Sequence, residues 1–240
     1  PDSYDGTETM GAAYIMGKLT LNKLDIITGL RYERTGFEYN GNIVNFSNTG
    51  VYVSTQKVAV NSAFDGLFPS LNLKYAISQN TNIRAAVTRS LSRPGYYDLV
   101  PWQEVEPNRK RMKIGNPQLN QSKSTNFDIL FEHYLKSLGL ISGGIFYKNI
   151  DDYIYESVYR QQGGQFDTFQ VTQTVNGANA RVYGYEVAWQ QQLTFLPGFL
   201  NGFGLYGNFT QIQSKFKVPG FVSERTVRLP AMRPKVGNFS

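Results

Sequence analysis

Cysteine is absent from the 240-residue chain, and histidine occurs once, as His133. No disulfide can staple the fold and no thiolate can hold a metal. A catalytic triad or an imidazole-rich metal site would have to be built on that one ring. No apolar run reaches the roughly 18 residues of a transmembrane helix. No charged segment followed by an apolar stretch opens the chain, so no signal peptide is visible. Phosphate-cradling motifs are missing too, and Gly163-Gly164 marks only a loop. The net charge of +6 reads as a moderately basic surface. No DNA or RNA motif accompanies it, and a nucleic-acid partner is not expected.

What the chain does hold is 16 Tyr, 16 Phe and 23 Gly, arranged with period-two alternation. Between Ala12 and Leu21 one parity reads Ala13, Ile15, Gly17, Leu19, Leu21. After Asn22-Lys23 a second run places Leu24, Ile26, Thr28, Leu30 and Tyr32 on one parity. A two-residue turn there predicts Leu21 opposite Leu24, Leu19 opposite Ile26, Ile15 opposite Leu30 and Ala13 opposite Tyr32. Apolar residues then meet apolar or neutral partners on one side, which a helix would not produce.

The same design recurs in Leu71–Val87, Phe127–Tyr147 and Tyr185–Phe209. Short turns fall near residues 22, 80, 136 and 197, and long polar connections are expected near 38–66, 91–123, 151–180 and 211–235. Short connections at one end and long ones at the other mark a transmembrane barrel, and strands of about ten residues fit a tilted bilayer span. Charges gather on one parity, in Arg31, Glu33, Lys74, Arg84, Asp128, Glu132 and Glu186. The pattern alone leaves open which face is inside; recurring charges on long strands favour a wet lumen. Aromatics near the short turns (Tyr75, Phe131, Tyr134, Trp189, Phe195, Phe199) would form a girdle. Eight full strands and the start of another at Val236–Ser240 are expected. Even strand numbers and inward Gly29, Gly144, Gly184 and Gly204, which fill little space, favour part of a wider barrel.

Short elements in this chain resemble those of one family. Gly29-Leu30-Arg31-Tyr32-Glu33-Arg34-Thr35 resembles the G-x-R-x-E-x-T strand of TonB-dependent receptors. Phe68-Pro69-Ser70-Leu71 with Asn82-Ile83-Arg84-Ala85-Ala86 is similar to a hairpin of the same family, and Ser90-Leu91-Ser92-Arg93-Pro94 to the end of that strand. Gly115-Asn116-Pro117-Gln118-Leu119 matches its G-N-P-x-L element. Asn126-Phe127-Asp128, Phe146-Tyr147-Lys148, Tyr183-Gly184-Tyr185-Glu186, Leu229-Pro230 and Arg233-Pro234 follow in the family's order. Asn120-Gln121 departs from it, where a Pro-Glu pair is common. The resemblance implies an all-β fold: about 8–9 antiparallel strands of a roughly 22-stranded barrel, with short periplasmic turns and long extracellular loops. It implies that residues 1–240 are part of one barrel domain, with a plug domain and closing strands outside them. It further implies an outer-membrane location and energised uptake of a scarce large ligand, such as a ferric siderophore, a vitamin or a glycan. The implied partners are outer-membrane lipid and lipopolysaccharide, the TonB complex through the plug, and a surface lipoprotein or other outer-membrane subunits.

The candidate ligand contacts lie in two long connections. One carries Tyr96, Tyr97, Trp102, Arg109, Arg111 and Lys113; the other carries Tyr155, Tyr159 and Arg160. Aromatics offer stacking area to sugars or catechols, and the cations attract anionic chelates. Lipopolysaccharide contact or plain solvation is the competing reading. Arg31, Glu33, Arg84, Glu132 and Glu186 are expected to form a lumenal charge ladder of structural role. No catalytic residue, metal site or cofactor is expected, and iron would arrive already chelated. His133 sits on the apolar parity near a short turn, and Asp151-Asp152 at a strand boundary. Three other readings compete: a passive porin or structural barrel, a membrane-embedded hydrolase, and a soluble all-β binding module.

Overall fold

A computed structural model describes residues 5–46, 51–136, 138–177, 179–218 and 225–240. Its strands are β1 (Asp5–Leu21), β2 (Leu24–Phe46), β3 (Tyr52–Ser78), β4 (Thr81–Ser92), β5 (Gln103–Glu106), β6 (Arg111–Ile114), β7 (Ser122–Leu135), β8 (Gly139–Asp151), β9 (Ile154–Arg160), β10 (Gln170–Asn176), β11 (Ala180–Gln192), β12 (Gly204–Val218), β13 (Arg225–Val227) and β14 (Lys235–Phe239). One α-helical turn, α1 (Tyr96–Leu99), and two 3-10 turns, Pro107–Arg109 and Gly198–Gly202, interrupt them. The main sheet runs β1-β2-β3-β4-β7-β8-β11-β12, with β13 and β14 both on β12, and every pairing is antiparallel. Among the described residues no pairing joins β1 to β14, so the sheet stays open. The eight long strands and the late start at β14 are those the alternation predicts.

Register follows the pattern residue by residue. Leu21 pairs with Leu24, Leu19 with Ile26, Ile15 with Leu30 and Ala13 with Tyr32. Asn22 takes the left-handed conformation at φ 51° that the tight turn needs, a region asparagine tolerates.

A single lateral row crosses the whole sheet through Leu21, Leu24, Tyr75, Ile83, Phe131, Gly143, Val187 and Phe209. The neighbouring row, on the other face, reads Thr20, Asp25, Lys74, Arg84, Leu130, Gly144, Glu186 and Thr210. One oily row and one polar row, a residue apart, are what side chains of period two require.

The apolar face is open: Ile145 is 58% and Ile129 50% exposed. The polar face is concave, because Lys18, Asp25, Asn72, Lys74, Arg84 and Asp128, from five adjacent strands, line one hollow. Fully burying one such aliphatic side chain is worth about 1.5–3 kcal/mol. A soluble module would forgo that stabilisation at many positions on its outside; hydrocarbon around the sheet recovers it. The open, oily outer face and ionic inner face fit a transmembrane barrel wall and not a soluble sandwich.

The structure corrects one reading of the loops. Residues 38–66 are not a long irregular connection: β2 and β3 stay hydrogen-bonded from Leu24–Tyr75 out to Phe46–Tyr52. Polar composition there marks departure from the hydrocarbon, not the end of the ladder, since backbone pairing is indifferent to it. The other long connections also carry strands of their own, β5 and β6 in one and β9 and β10 in the next.

Candidate functional site

The inner wall holds its charges in separate clusters rather than a continuous ladder. Arg31 binds Glu33 at 2.8 Å on the same strand, and Arg84 reaches from β4 to Glu132 on β7 at 2.8 Å. Glu186 lies opposite Gly144 and Thr210 and takes part in no ion pair among the described residues. His133 approaches Thr81 Oγ1 through Nδ1 at 2.9 Å, beside a short turn. Among the described residues no group of three or more His, Asp or Glu side chains could hold a metal ion.

Above these charges a strap lies on the inner wall. Pro94 cannot donate to a strand ladder, and the chain leaves β4 there. Arg93 reaches past β3 to Glu33 on β2, and its Nη2 also lies 3.3 Å from the buried Thr35 hydroxyl. Tyr96 extends further, donating its hydroxyl to Glu8 on β1 at 2.5 Å. The Glu8 carboxylate, first by accepting that hydrogen bond and then by its charge, holds the Tyr96 phenol above its ordinary pKa. Leu99, Val100 and Leu119 are buried against Phe37, Tyr39 and Phe64 of the β2–β3 hairpin, with Trp102 at the margin. Phe37 and Phe64 meet edge to face at 5.0 Å. Close approach is enforced by glycine: a Cβ on Gly41 would stand 2.7 Å from the Pro101 carbonyl, and one on Gly115 would stand 1.9 Å from that of Val100.

The strap leads into a small sheet ordered β5-β6-β10-β9. Its centre is a parallel pairing of β6 with β10, Arg111–Gln170 through Ile114–Gln173. Two connections far apart in sequence are therefore joined into one body. Side chains reinforce the joint: Thr174 donates to Asp98 at 2.8 Å, and Asn116 Nδ2 donates to the Thr174 carbonyl at 3.0 Å. Asn120 N–H donates to Asn176 Oδ1 at 2.7 Å, while Asn176 Nδ2 donates to the Asn120 and Asp152 carbonyls at 2.9 Å each. Gln121 Nε2 donates to the Asp65 carbonyl at 2.8 Å, an anchor that the Asn120-Gln121 departure supplies.

Pairing sorts the candidate contacts onto faces. Arg160, Gln170 and Arg111 form one row, with Lys113 and Thr172 in a parallel row beside it. None of Arg111, Lys113 and Arg160 is in an ion pair among the described residues, although Glu104 stands opposite Lys113 and Glu106 opposite Arg111 across β5 and β6, Glu106 being engaged by Arg109 at 3.2 Å. Glu104, Glu106, Arg111, Lys113, Gln170 and Thr172 line a shallow cavity on this face. Tyr159 is on the reverse face, opposite the fully buried Val171, and lies 3.4 Å from Gln173 through its hydroxyl.

Tyr97 and Trp102 stack at 4.4 Å, with the indole N–H donated to the Tyr97 carbonyl. Tyr155 packs edge-on against Phe216 at 4.9 Å, in an inner-wall cluster with Val182, Leu229 and Tyr153. Burial pushes the Tyr153 phenol up. The structure thus brings Arg111, Lys113 and Arg160 together and sets Tyr96, Tyr97 and Tyr155 apart from them. Sequence reasoning missed Glu8 and Thr35 as partners of the strap. It met Arg93 only as a motif end; an arginine before proline at the end of a strand was the available signal.

The family model described as TonB dependent receptor-like, beta-barrel, matches residues 1–240. Among solved structures, the chain is similar to one titled copper transporter OprC, with TM-score 0.71 and 16% identity over 98% of this chain and 32% of that one. It is similar to the Serratia marcescens hemophore receptor HasR, solved with its hemophore HasA and heme, at TM-score 0.69 and 13% identity over 97% of this chain and 39% of that one. The ferric citrate transporter FecA gives TM-score 0.62 and 16% identity over 100% of this chain and 31% of that one. The chain thus spans about a third of the length of these structures. No curated protein sequence matches it.

Proposed function

The chain belongs to the TonB-dependent receptor β-barrel family, and from that premise we propose that it is the wall segment of an outer-membrane receptor that imports a scarce large ligand with energy delivered by TonB. Members of this family are transporters and not enzymes, so the hydrolase reading falls. The outer membrane is where the family resides, and the oily outer face suits it.

The observation that carries the proposal is the concave charged wall. Lys18, Asp25, Lys74, Arg84 and Asp128, with Ile27, Ala86 and Leu130 among them, line one hollow on the inner face. A wall of this kind suits a wide barrel with a separate folded body inside, here a plug through which TonB would act. Outer-membrane lipid and lipopolysaccharide would surround it, and a surface lipoprotein is a further candidate partner. The β5-β6-β10-β9 sheet is the proposed ligand platform, with Arg111, Lys113 and Arg160 on its polar face and Tyr96, Tyr97 and Trp102 along the strap. Cations free of internal partners suit an anionic cargo such as a ferric siderophore chelate. Tyr155 and Tyr159 support this platform from behind. Arg31, Glu33, Arg84, Glu132 and Glu186 would hold the wall against the plug.

Growth on a panel of ferric siderophores as sole iron source, in strains with and without TonB, tests the proposal. Uptake that needs this receptor and TonB together supports it. Uptake that persists without TonB, with ion conductance from the purified barrel, would instead fit a passive porin.

A further inference from the structure

Strands β3 and β4 part well before β3 ends. Their ladder runs from Ser78 opposite Thr81 to Ser70 opposite Thr88 and stops there. On its other side β3 stays paired with β2 as far as Tyr52. Alternate residues of an antiparallel strand turn their N–H and C=O to one neighbour, and the rest turn theirs to the other. Ala76 N–H donates to the Lys23 carbonyl at 2.8 Å, so the even-numbered residues of β3 bond to β2. The odd-numbered residues turn the other way, toward β4. After Leu71 the next odd residue is Pro69, which has no N–H to give, and the ladder ends.

Beyond Pro69 one group on this edge is engaged: the Asp65 carbonyl accepts the Gln121 side chain at 2.8 Å. Further out the edge is bare among the described residues. Val53, Thr55, Lys57, Ala59, Asn61 and Ala63 each turn an N–H and a C=O outward, and no strand pairs with them on that side. All six residues are exposed. At ~3.3 Å per residue the row is about 35 Å long. Exposed edges are ordinarily blunted by proline, by bulges or by charge. From Val53 to Ala63 there is no proline, no break in register with β2, and a single charge, Lys57.

We propose that this edge receives an extended segment of a second protein outside the cell, which adds to β3 as a further strand. Only another backbone repeats donors and acceptors every two residues, about 6.6 Å apart. Charge complementarity defines the segment: low in charge, with an acidic side chain set against Lys57. A second copy of this chain suits the edge poorly. Laid along the same span in either direction it would bring two Lys57 ammonium groups together, because Lys57 lies beside the centre of the row. Behind the edge, Phe64 is buried with Leu99 and Val100 of the strap, so an added strand would stiffen the hairpin on which the strap rests. The proposal goes beyond the transport reading and needs neither TonB nor a particular cargo.

The test uses the complete receptor in nanodiscs, with hydrogen exchange read residue by residue. The probes are synthetic peptides of alternating Thr and Val, good strand formers, with either one central Glu or one central Lys. In the receptor alone the amides of residues 53, 55, 57, 59, 61 and 63 should exchange freely while their even-numbered neighbours are protected. The Glu peptide should protect the odd set and bind more tightly than the Lys peptide. Ala59→Pro deletes one outward N–H and no bond to β2, and should weaken the Glu peptide by about tenfold. Lys57→Glu should reverse the preference between the peptides. Protection of the odd set in the receptor alone overturns the proposal: the receptor covers its own edge, or a second copy does if the protection is lost on dilution. No protection by the Glu peptide, equal binding to Ala59→Pro, or a preference indifferent to Lys57→Glu likewise overturns it.

Discussion

Arg93, where the chain leaves β4, pairs with Glu33 on β2, two strands away across the inner wall. Glu33 is shared, since Arg31 holds its other oxygen at 2.8 Å. One carboxylate thus joins the wall to the strap that leads into the proposed ligand platform. Its side chain is only 11% exposed, so solvent screens it weakly.

Glu33→Gln should loosen the strap while leaving the wall paired. Loss of a charge-assisted hydrogen bond costs on the order of 1.5–3 kcal/mol. Hydrogen exchange in residues 93–101 should rise several-fold, with exchange in β7 and β8 unchanged. Unchanged exchange in the strap would mean that the apolar contacts of Leu99 and Val100 alone hold it.

Gly115→Ala should separate the strap from the small sheet. The added methyl would stand 1.9 Å from the Val100 carbonyl and 2.9 Å from the Trp102 ring, so backbone must move. The expected outcome is trypsin cleavage at Arg109, Lys110 or Arg111 that the parent protein resists, with the barrel still inserted. Resistance equal to the parent would show that the close approach is relieved cheaply.

Asn176→Ala removes three side-chain bonds that tie one long connection to the other and to the end of β8. At about 1 kcal/mol each, the joint should weaken by roughly 2–3 kcal/mol. A disulfide between Arg111→Cys and Gln170→Cys, neighbours across β6 and β10, reads the joint directly. Its yield should fall on adding Asn176→Ala, and an undiminished yield would assign the joint to the backbone pairing.

The Tyr96–Glu8 bond should give a pH dependence of defined sign. The phenol is raised in the folded protein, so its contribution is fully present below its unfolded value of about 10 and is lost as pH rises through the higher folded value. A spectroscopic titration of the parent minus Tyr96→Phe should show one tyrosine ionising above the ordinary range. A difference curve centred at the ordinary value would mean that the bond does not persist in solution.

Replacing Arg111 and Arg160 together by Ala should weaken binding of an anionic ferric siderophore by about a hundredfold or more, since charged contacts are worth on the order of 1.5–3 kcal/mol each. The salt dependence of binding should flatten at the same time. Unchanged affinity at low ionic strength would move the cargo site off this face.

The sequence by itself determined the wall. Alternation of Leu, Ile and aromatics against Lys, Arg, Asp and Glu fixed the strands, the Asn22-Lys23 turn and the pairing of Ile15 with Leu30, because a one-residue slip would turn every side chain to the wrong solvent. It also placed the cations of the candidate site in the long connections. It misread residues 38–66, because polar side chains say where hydrocarbon ends and nothing about where backbone bonds end. Only the tertiary structure decided which of those residues meet. The parallel pairing of β6 with β10, the row of Arg111, Gln170 and Arg160, and the reach of Tyr96 to Glu8 join positions far apart in the chain. Such contacts follow no local period; they exist because a barrel wall brings the ends of distant strands to one rim, where their connections can fold onto one another.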